Sequence, residues 1–365
     1  MTIQHFSMPL LEWYDKNKRE MIWRDHYDPY YIWLSEIMLQ QTRIEAAKEY
    51  FVRFTSELPD IAKLARVSEE RLMKLWEGLG YYNRARNLKK AAEIVVRDYG
   101  GKLPADFDAL LALPGIGPYT AGAIASIAFG IKAPAVDGNV LRVVMRYLAC
   151  EDDISRMPVR KKVERMILDV MPERPGDFNQ AVMELGEVIC IPNGEPLCSQ
   201  CPVQDTCRAL AEGCPEKYPK RAEKRPRRKE QRTVVVMEYQ NGIAIRKRPE
   251  KGLLAGLYEF PSVEGWVSTA EIGERMRQWG IEMARIRSMG RADHIFSHVE
   301  WNMKGVYVEI ADDGDVKGLP EDVVFVTREQ LERQYTIPVA FHTYLKQLQS
   351  REMKADVRKE PAGDR

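Results

Sequence analysis

The stretch that decides the fold is Leu113–Ala123, LPGIGPYTAGA, which lies between predicted helices at 107–113 and 120–129. Two glycines two residues apart allow a tight turn from one helix to the next. The amides of the turn and the amino end of the second helix can then face a phosphate. An ordinary helix-to-helix turn with a C-cap glycine gives the same residues. Gly115 and Gly117 are therefore either phosphate contacts or simple turn residues.

The surrounding two hundred residues also have the pattern of helices. Asp28 and Pro29 form an N-cap and first-turn pair that opens a helix through Gln40. Two further segments repeat apolar residues three and four apart, and the second ends at Gly100-Gly101. Their apolar residues are Leu72, Leu75, Trp76 and Leu79 in the first, and Leu88, Ala91, Ala92, Val95 and Tyr99 in the second. No β-alternation precedes residue 210, so this region is predicted to be mainly α.

The composition changes after residue 215. Residues 216–232, EKYPKRAEKRPRRKEQR, carry nine Lys or Arg and three Glu without apolar periodicity, which predicts an exposed linker. Such a run is either a solvated tether or a contact to a phosphate backbone. Beyond it we predict an α+β domain over 233–349 and a disordered polar tail over 350–365. The predicted elements are strands at Thr233–Tyr239, Ile243–Arg248, Val299–Ile310 and Val323–Val326, a hairpin turn at Asn241-Gly242, and a helix between Thr269 and Gly280.

Length and charge exclude several classes of protein. The 365 residues are enough for two or three domains, and the formal charge is only +1, so a surface for a polyanion must come from local clustering. The amino-terminal residues are charged throughout, which argues against a signal peptide. Ala121–Ile131, the most apolar stretch, is too short to cross a bilayer. We expect a soluble, cytoplasmic protein without a membrane partner.

Four of the six cysteines, in the pattern C-x7-C-x2-C-x5-C, lie within 18 residues: Cys190, Cys198, Cys201 and Cys207. In a reducing cytosol such a group is more typical of metal ligands than of disulfides. Four thiolates suit tetrahedral zinc and an iron–sulfur cluster equally well, so the spacing leaves both open, as well as no metal at all. A structural role is the default for whichever metal binds.

Two carboxylates have settings that suit acid–base chemistry. Glu36 shares a helix face with Trp33 and Leu39, an apolar environment that raises the pKa of a carboxyl group. Asp137 is predicted to cap the helix that follows it, whose dipole favours the ionised form. One neutral acid and one charged carboxylate are the pair that expels a leaving group from a sugar carbon. A solvated glutamate and an ordinary N-cap aspartate account for the same residues.

Six motifs in this order resemble the helix-hairpin-helix DNA glycosylase superfamily and, within it, the MutY family of adenine DNA glycosylases. They are WLSEIMLQQT at 33–42, WEGLGYY at 76–82, LPGIGPYTAGA at 113–123, AVDGNV at 135–140, the four cysteines, and FSH at 296–298. The resemblance implies a mainly α glycosylase domain over 1–215, with the helix-hairpin-helix at 107–129 and a [4Fe–4S] cluster loop at 190–207. It also implies a linker at 216–232 and a Nudix-like α+β domain over 233–349. The first cysteine gap is seven residues where the family has six, so a bulge is expected around Asn193-Gly194.

The same resemblance implies a monofunctional enzyme, a monomer, that flips adenine from A:8-oxoguanine or A:G pairs and hydrolyses its N-glycosidic bond. Glu36 would protonate N7, and Asp137 would stabilise the sugar cation or bond to it briefly. Tyr119 and Asn139 would support this site. Pyrimidine-specific relatives carry a Schiff-base lysine where Tyr119 stands, so strand nicking is not expected. The resemblance also implies that Arg19, Arg24 and Gln180 surround the adenine. Residues that would enter the duplex and contact the oxidised guanine are Gln41, Thr42, Leu79, Gly80 and Tyr81. Trp23 and Arg146 would contact the DNA backbone.

The carboxyl-terminal domain resembles a Nudix fold through GLLAGLYEFP at 252–261. Residues 274–280 lack the clustered carboxylates that a catalytic Nudix motif uses for magnesium, so the domain is predicted to read the lesion. Phe296, Ser297 and His298 would meet the 8-oxoguanine, with Ser297 bonding to its altered edge. From the residues alone, ordinary packing on a strand is the favoured explanation of this tripeptide. A pyrimidine glycosylase with lyase activity and a non-enzymatic lesion binder with a redox-sensing cluster are the alternative functions.

Overall fold

The computed structural model of the chain describes residues 3–24, 28–222, 226–314 and 316–356. The chain divides into two compact units: Met1–Val67 with Asn83–Lys224, and Ser68–Tyr82 with Arg225–Arg365. The predicted division placed residues 68–82 in the helical domain, whereas the structure groups them with the second unit. Among the described residues, no helix is both long enough and apolar enough to cross a membrane.

The described residues up to 222 are helical, as predicted. The helices are α1 Ser7–Asn17, α2 Pro29–Leu39, α3 Ile44–Glu57, α4 Ile61–Arg66, α5 Glu69–Leu75, α6 Asn83–Tyr99, α7 Phe107–Leu111, α8 Pro118–Phe129, α9 Gly138–Tyr147, α10 Met157–Asp169, α11 Pro175–Val188 and α12 Arg208–Ala211. Helix α2 begins as predicted, with the Tyr30 N–H donating to the Asp28 side chain at 2.8 Å. The helix predicted through Leu79 instead ends at Leu75, because the following turn contains left-handed residues at Gly78 and Gly80.

The hairpin of α7 and α8 positions the site. Gly115 has φ +79°, and a Cβ there would lie 2.7 Å from Cβ of Asn87 on α6, so the turn requires glycine for both conformation and space. Gly117 caps α8, and Pro118 occupies its first turn. Residues 120–126 of α8 are all buried, which fixes this helix firmly in the unit. The predicted helical hairpin is confirmed.

The second unit is built on one sheet. Its strands are β1 Arg228–Tyr239, β2 Gly242–Lys247, β3 Tyr258–Glu259, β4 Ser262–Glu264, β5 Met283–Ile295, β6 Val299–Ile310 and β7 Val323–Thr327, and its further helices are α13 Thr269–Gln278, α14 Arg328–Arg333 and α15 His342–Asp356. The order is β3-β2-β1-β6-β5, with β4 on β1 and β7 on β2. Strands β1 and β6 are parallel, and the other pairs are antiparallel. Trp301 and Phe341 lie in the core on one face of the sheet, and Met276 and Val308 in the core on the other.

Three predictions about this unit are corrected in detail. Strand β1 begins at Arg228, so the predicted linker loses its last five residues to the sheet, while residues 223–225 lie outside the described part. The hairpin turn is centred on Gln240 and Asn241, with φ +46° and +65°, because Tyr239 pairs with Gly242. Helix α15 continues to Asp356, so the first part of the predicted disordered tail is helical, and residues 357–365 are outside the described part.

The predicted lesion-reading tripeptide is not on a strand. Phe296, Ser297 and His298 connect β5 to β6, and the Phe296 N–H donates to the Val299 carbonyl at 2.8 Å to close the turn. Because these three residues form a connection, the alternation of side chains between the two faces of a strand does not apply to them. The connection leaves Ser297 and His298 exposed.

Candidate active site

A cavity of about 880 Å³ in the first unit brings the predicted catalytic and adenine-pocket residues together. Its lining comes from the chain on either side of α2, from α2 itself, and from α8, α9, α10 and α11. The predicted residues in the lining are Arg19, Trp23, Arg24, Glu36, Gln41, Thr42, Tyr119, Asp137, Asn139 and Gln180. The volume lies within the range of pockets that bind small organic ligands, roughly 300–1,000 Å³.

Glu36 is a buried acid held by a phenol. It lies on α2 with 9% of its surface exposed, and the Tyr119 hydroxyl donates to its Oε2 at 2.6 Å. The same hydroxyl is 3.3 Å from Sδ of Met183. The pKa of Glu36 is raised to about 7, mainly by burial; the Tyr119 hydrogen bond lowers it, and the nearby charge of Asp137 raises it. At neutral pH the carboxyl group is therefore poised to give up a proton, as predicted.

Asp137 is the N-cap of α9. Its Oδ1 accepts from the Val140 N–H at 2.8 Å, and its Oδ2 accepts from Asn139 Nδ2 at 3.0 Å. Burial raises the pKa of Asp137 above its ordinary value, while these hydrogen bonds and the charge of Arg142 lower it. The helix end favours the ionised form, as predicted, but burial outweighs it in setting the direction of the shift. The donors around the carboxylate nevertheless give it a partner for each oxygen.

A chain of hydrogen bonds connects Asp137 to the cysteine loop. Asn139, which donates to Asp137, accepts from Arg142 Nη2 at 2.8 Å. The Nε of Arg142 donates to the Cys190 carbonyl at 2.8 Å, and Nη2 also donates to the Gly186 carbonyl at 2.6 Å. Arg142 is only 3% exposed. Sequence reasoning missed this residue, although its place one turn after Asp137 on α9 is a usable signal.

The two predicted adenine-pocket arginines share one buried carboxylate. Arg19 and Arg24 both bind Glu184 on α11, which is 2% exposed, and Arg19 also binds Glu187. Burial alone would raise the pKa of Glu184, but the two arginines lower it below its ordinary value. Gln180 lies one turn earlier and donates to the Gly176 carbonyl at 3.2 Å.

Several lining residues were not predicted. Met183, Glu184 and Glu187 follow Gln180 at helical spacing, which is the signal that could have found them. Arg160 on α10 also lines the cavity, and its Nη1 donates to the Val136 carbonyl at 2.6 Å, beside Asp137.

Most of the residues predicted to contact DNA lie outside the cavity lining. Arg146 is 3% exposed, and its guanidinium donates to the carbonyls of Tyr218 at 2.9 Å and Ile191 at 2.8 Å. The side chain is thus buried under the cysteine loop, and the contact of Arg146 with the DNA backbone stays a prediction. Trp23 is 6% exposed and packs edge-on against Phe51 in addition to lining the cavity. Gly115 and Gly117 lie in the turn between α7 and α8.

A second group of predicted residues lies in the second unit. The Tyr81 hydroxyl is 3.0 Å from Oγ of Ser297, so the WEGLGYY segment and the β5–β6 connection meet there. Leu79 is 7% exposed, whereas Tyr81 is 49% exposed. The Phe296 ring packs against Trp301 with a centroid distance of 4.9 Å, which gives the exposed tip of the connection a rigid base.

The four predicted thiols occupy the loop after α11. Burial raises the pKa values of Cys198, Cys201 and Cys207, that of Cys201 to about 12, and the charge of Cys190 raises each further. Arg146 Nη1 donates to Cys190 Sγ at 3.4 Å. Within the described residues, no three His, Cys, Asp or Glu side chains are grouped so as to hold a single metal ion. A four-iron cluster is wider than one ion, so its four thiols do not have to converge on one point.

Fold and site together define a base-excision DNA glycosylase. Residues 34–168 match the family model for the HhH-GPD superfamily base excision DNA repair protein, and residues 232–347 match that for the NUDIX domain. The chain is similar to a solved structure of a thermostable thymine-DNA glycosylase, with a TM-score of 0.52 and 30% identity. That match covers 57% of this chain and 96% of the other.

Curated relatives narrow the class. The chain is 36% identical to the adenine DNA glycosylase of Mus musculus over 89% of this chain and 74% of that protein. It is 31% identical to the adenine DNA glycosylase of Schizosaccharomyces pombe, over 97% of this chain and 92% of that protein. The chain therefore belongs to the adenine DNA glycosylase family. It is a DNA N-glycosylase of base excision repair, and its substrate is DNA.

Proposed function

We propose that this enzyme flips adenine out of A:8-oxoguanine and A:G pairs in duplex DNA and hydrolyses its N-glycosidic bond as a monomer. Residues 1–215 would carry the chemistry, and residues 233–349 would read the lesion. The observation that carries the proposal is that Glu36, with a pKa raised to about 7, and Asp137 line one cavity. Arg19, Arg24 and Gln180 line the same cavity and would surround the base.

In the proposed reaction, protonated Glu36 donates its proton to N7 of the flipped adenine while the Tyr119 hydroxyl holds the carboxyl group. The C1′–N9 bond breaks, its electron pair leaves with the neutral base, and positive charge develops on the sugar. Asp137 stabilises that charge, either electrostatically or by bonding to C1′ for a short time. Water then adds to C1′, and its proton passes to Glu36, which restores the acid.

The reaction is proposed to be hydrolysis without strand nicking. A phenol cannot form a Schiff base with the sugar, and Tyr119 is committed to Glu36 by a 2.6 Å hydrogen bond. Lys18 also lines the cavity, so borohydride trapping on DNA should be compared for the native enzyme and Lys18→Met. We expect little trapped product from either protein. An efficient covalent imine would show lyase chemistry and contradict this part of the proposal.

Lesion reading is proposed for the group around Ser297. The hydroxyl of this exposed residue lies beside Tyr81, and the aromatic base under it is fixed by Phe296 and Trp301. Ser297 would bond to the altered edge of 8-oxoguanine, with Leu79, Gly80 and Tyr81 entering the duplex beside it. Gln41 and Thr42, in the cavity wall, would also contact the duplex, and Gly115 and Gly117 would bind a phosphate. On α13, Glu271 accepts from the Ser268 N–H and Glu274 pairs with Arg277.

A [4Fe–4S] cluster is proposed on Cys190, Cys198, Cys201 and Cys207. The four thiols are partly buried in one loop, which fits ligands that share one cluster. The bulge expected for the extra residue would lie around Asn193 and Gly194, and Gly194 has φ +77°. When bound, the cluster would cross-link the loop beside Arg142 and Arg146. Iron and sulfide analysis of anaerobically purified protein should give four of each per chain, and Cys198→Ser should lose both.

The experiment that tests the whole proposal is a single-turnover assay of base release from three duplexes. We expect rapid release of adenine opposite 8-oxoguanine, slower release opposite guanine, and none of thymine glycol. Release of thymine glycol at a comparable rate would favour the pyrimidine-specific alternative. Tight lesion binding without release of any base would favour the non-enzymatic one.

A further inference from the structure

A half-buried ion pair holds the segment Ser68–Tyr82 on the second unit. Lys74 Nζ on α5 lies 2.6 Å from Glu77 Oε2 in the turn that follows, and the two side chains are 15% and 20% exposed. Both groups also bind main chain beyond α14. Lys74 Nζ donates to the Tyr335 carbonyl at 3.1 Å, and the Ile337 N–H donates to Glu77 Oε1 at 2.9 Å.

These contacts bind two main-chain groups that have opposite polarity. The ammonium group of Lys74 donates to a carbonyl, and the carboxylate of Glu77 accepts from an N–H. The two side chains also neutralise each other's charge. Charge-assisted hydrogen bonds of this kind are directional and are stronger than neutral ones. Partial burial also protects the pair from the solvent screening that weakens surface ion pairs. The pair therefore fixes where the turn begins, in position as well as in orientation.

The other end of the same turn carries the residues proposed to enter the duplex. Trp76 is fully buried, and its indole N–H donates to the Gly80 carbonyl at 3.1 Å. Tyr81 has φ +47°, a left-handed conformation that is unfavourable for a non-glycine residue and that its surroundings must maintain. Its hydroxyl reaches Ser297 at 3.0 Å. The turn is thus held at Lys74 and Glu77 on one side and at Ser297 on the other.

We propose that Lys74 and Glu77 are positioning residues for lesion selectivity. They hold the turn so that Leu79, Gly80 and Tyr81 are presented next to Ser297, and loosening them moves the lesion contacts without touching the catalytic cavity. The inference rests on the proposed function, because it takes the group around Ser297 as the reader of 8-oxoguanine. Neither residue is itself placed on the DNA.

The test measures selectivity in the full-length enzyme, as the ratio of single-turnover rates for adenine opposite 8-oxoguanine and opposite guanine. Lys74→Met and Glu77→Ala should each lower this ratio about fivefold. The double variant should do little more, because the two residues act as one unit. Lys74→Arg and Glu77→Gln, which keep a donor and an acceptor, should restore part of the ratio. The matched control is Glu70→Gln, an exposed carboxylate on the same helix, which should leave the ratio unchanged.

A merely structural role gives a different result. In that case the variants lower the melting temperature and both rates together, the ratio stays at the native value, and the inference is overturned. Lys74→Met alone serves as the test variant if Glu77→Ala does not fold. Tyr81→Phe and Ser297→Ala test the proposed lesion reader separately from the positioning role of Lys74 and Glu77. If these leave the ratio unchanged, the proposed lesion reader fails, whereas if they lower it and the Lys74 and Glu77 variants do not, only this inference fails.

Discussion

The cavity proposed for catalysis and the turn proposed to read the lesion differ in how their key side chains are held. Glu36 and Tyr119 lie on regular helices, and Glu36 is 9% exposed. Tyr81 and Ser297 lie in irregular connections, and Tyr81 is 49% exposed. Proton transfer needs a carboxyl group whose pKa is shifted by burial, whereas recognition needs exposed groups on a fixed backbone. The residues proposed for proton transfer therefore lie on helices, and those proposed for recognition lie in turns.

The largest expected effect is on the rate of base release when the acid Glu36 is removed from the cavity. Glu36→Gln keeps the size of the side chain and an acceptor for the Tyr119 hydroxyl but removes the acid. General acid catalysis is worth about 100-fold to 10,000-fold, and we expect base release to fall by about 1,000-fold. Single-turnover kinetics measure the loss, and a gel-shift assay should show that the lesion duplex is still bound. Glu45→Gln, an exposed carboxylate on α3, is the control. Full activity in Glu36→Gln would show that Glu36 is not the general acid.

A smaller loss of activity is expected when the residues that support Asp137 are changed. Arg142→Met removes the donor that orients Asn139 and the link to the Cys190 carbonyl, but it leaves both catalytic carboxylates in place. Loss of such a supporting partner costs about tenfold to 100-fold, and it should appear in kcat more than in KM. Iron content should be measured on the same preparation, because a loss of iron would mean that the arginine mainly holds the loop. Arg165→Met, on the exposed side of α10, should have native rates.

The pH dependence should also separate the two regions. Burial raises the pKa of Glu36 to about 7, so the protonated acid is present below that pH and is lost as the pH rises through it. We expect the single-turnover rate to fall toward tenfold per pH unit above about 7. Affinity for the lesion duplex, measured over the same range, should change much less, since the proton of Glu36 is needed to release the base and not to bind the duplex. A flat rate profile between pH 6 and 9 would contradict the assignment of Glu36 as the acid.

The sequence could predict the cavity better than the turn, for physical reasons. Helix starts such as Asp28-Pro29 and the α7–α8 hairpin are encoded by neighbouring residues, so motifs located Glu36, Tyr119 and Asp137 correctly in one cavity. Contacts between distant segments carry no such local signal. Arg142 and Arg146 lie one turn apart on α9, and only the fold of the cysteine loop over them shows that both are buried.

The second unit shows the same limit. Its sheet follows local alternation, and β6 was predicted to the residue. The tripeptide Phe296 to His298 has the composition of a strand, but the register of β5 against β6 makes it the connection between them. The grouping of Ser68–Tyr82 with this unit depends on pairing across about 260 residues, as between Glu77 and Ile337, which no window of sequence contains.

The smallest expected effect concerns Ser297, the residue proposed to contact the oxidised guanine. Ser297→Ala removes one hydroxyl from an exposed connection, and a single hydrogen bond between neutral groups contributes about 0.5–1.5 kcal/mol. We therefore expect the preference for adenine opposite 8-oxoguanine over adenine opposite guanine to fall only about threefold to tenfold, with the rate opposite guanine almost unchanged. Phe296→Ala should do more than Ser297→Ala, because it removes the ring that packs on Trp301 and supports the whole connection. If Ser297→Ala instead slowed both substrates equally, the hydroxyl would serve the turn as a whole, and recognition of the oxidised base would have to come from other groups.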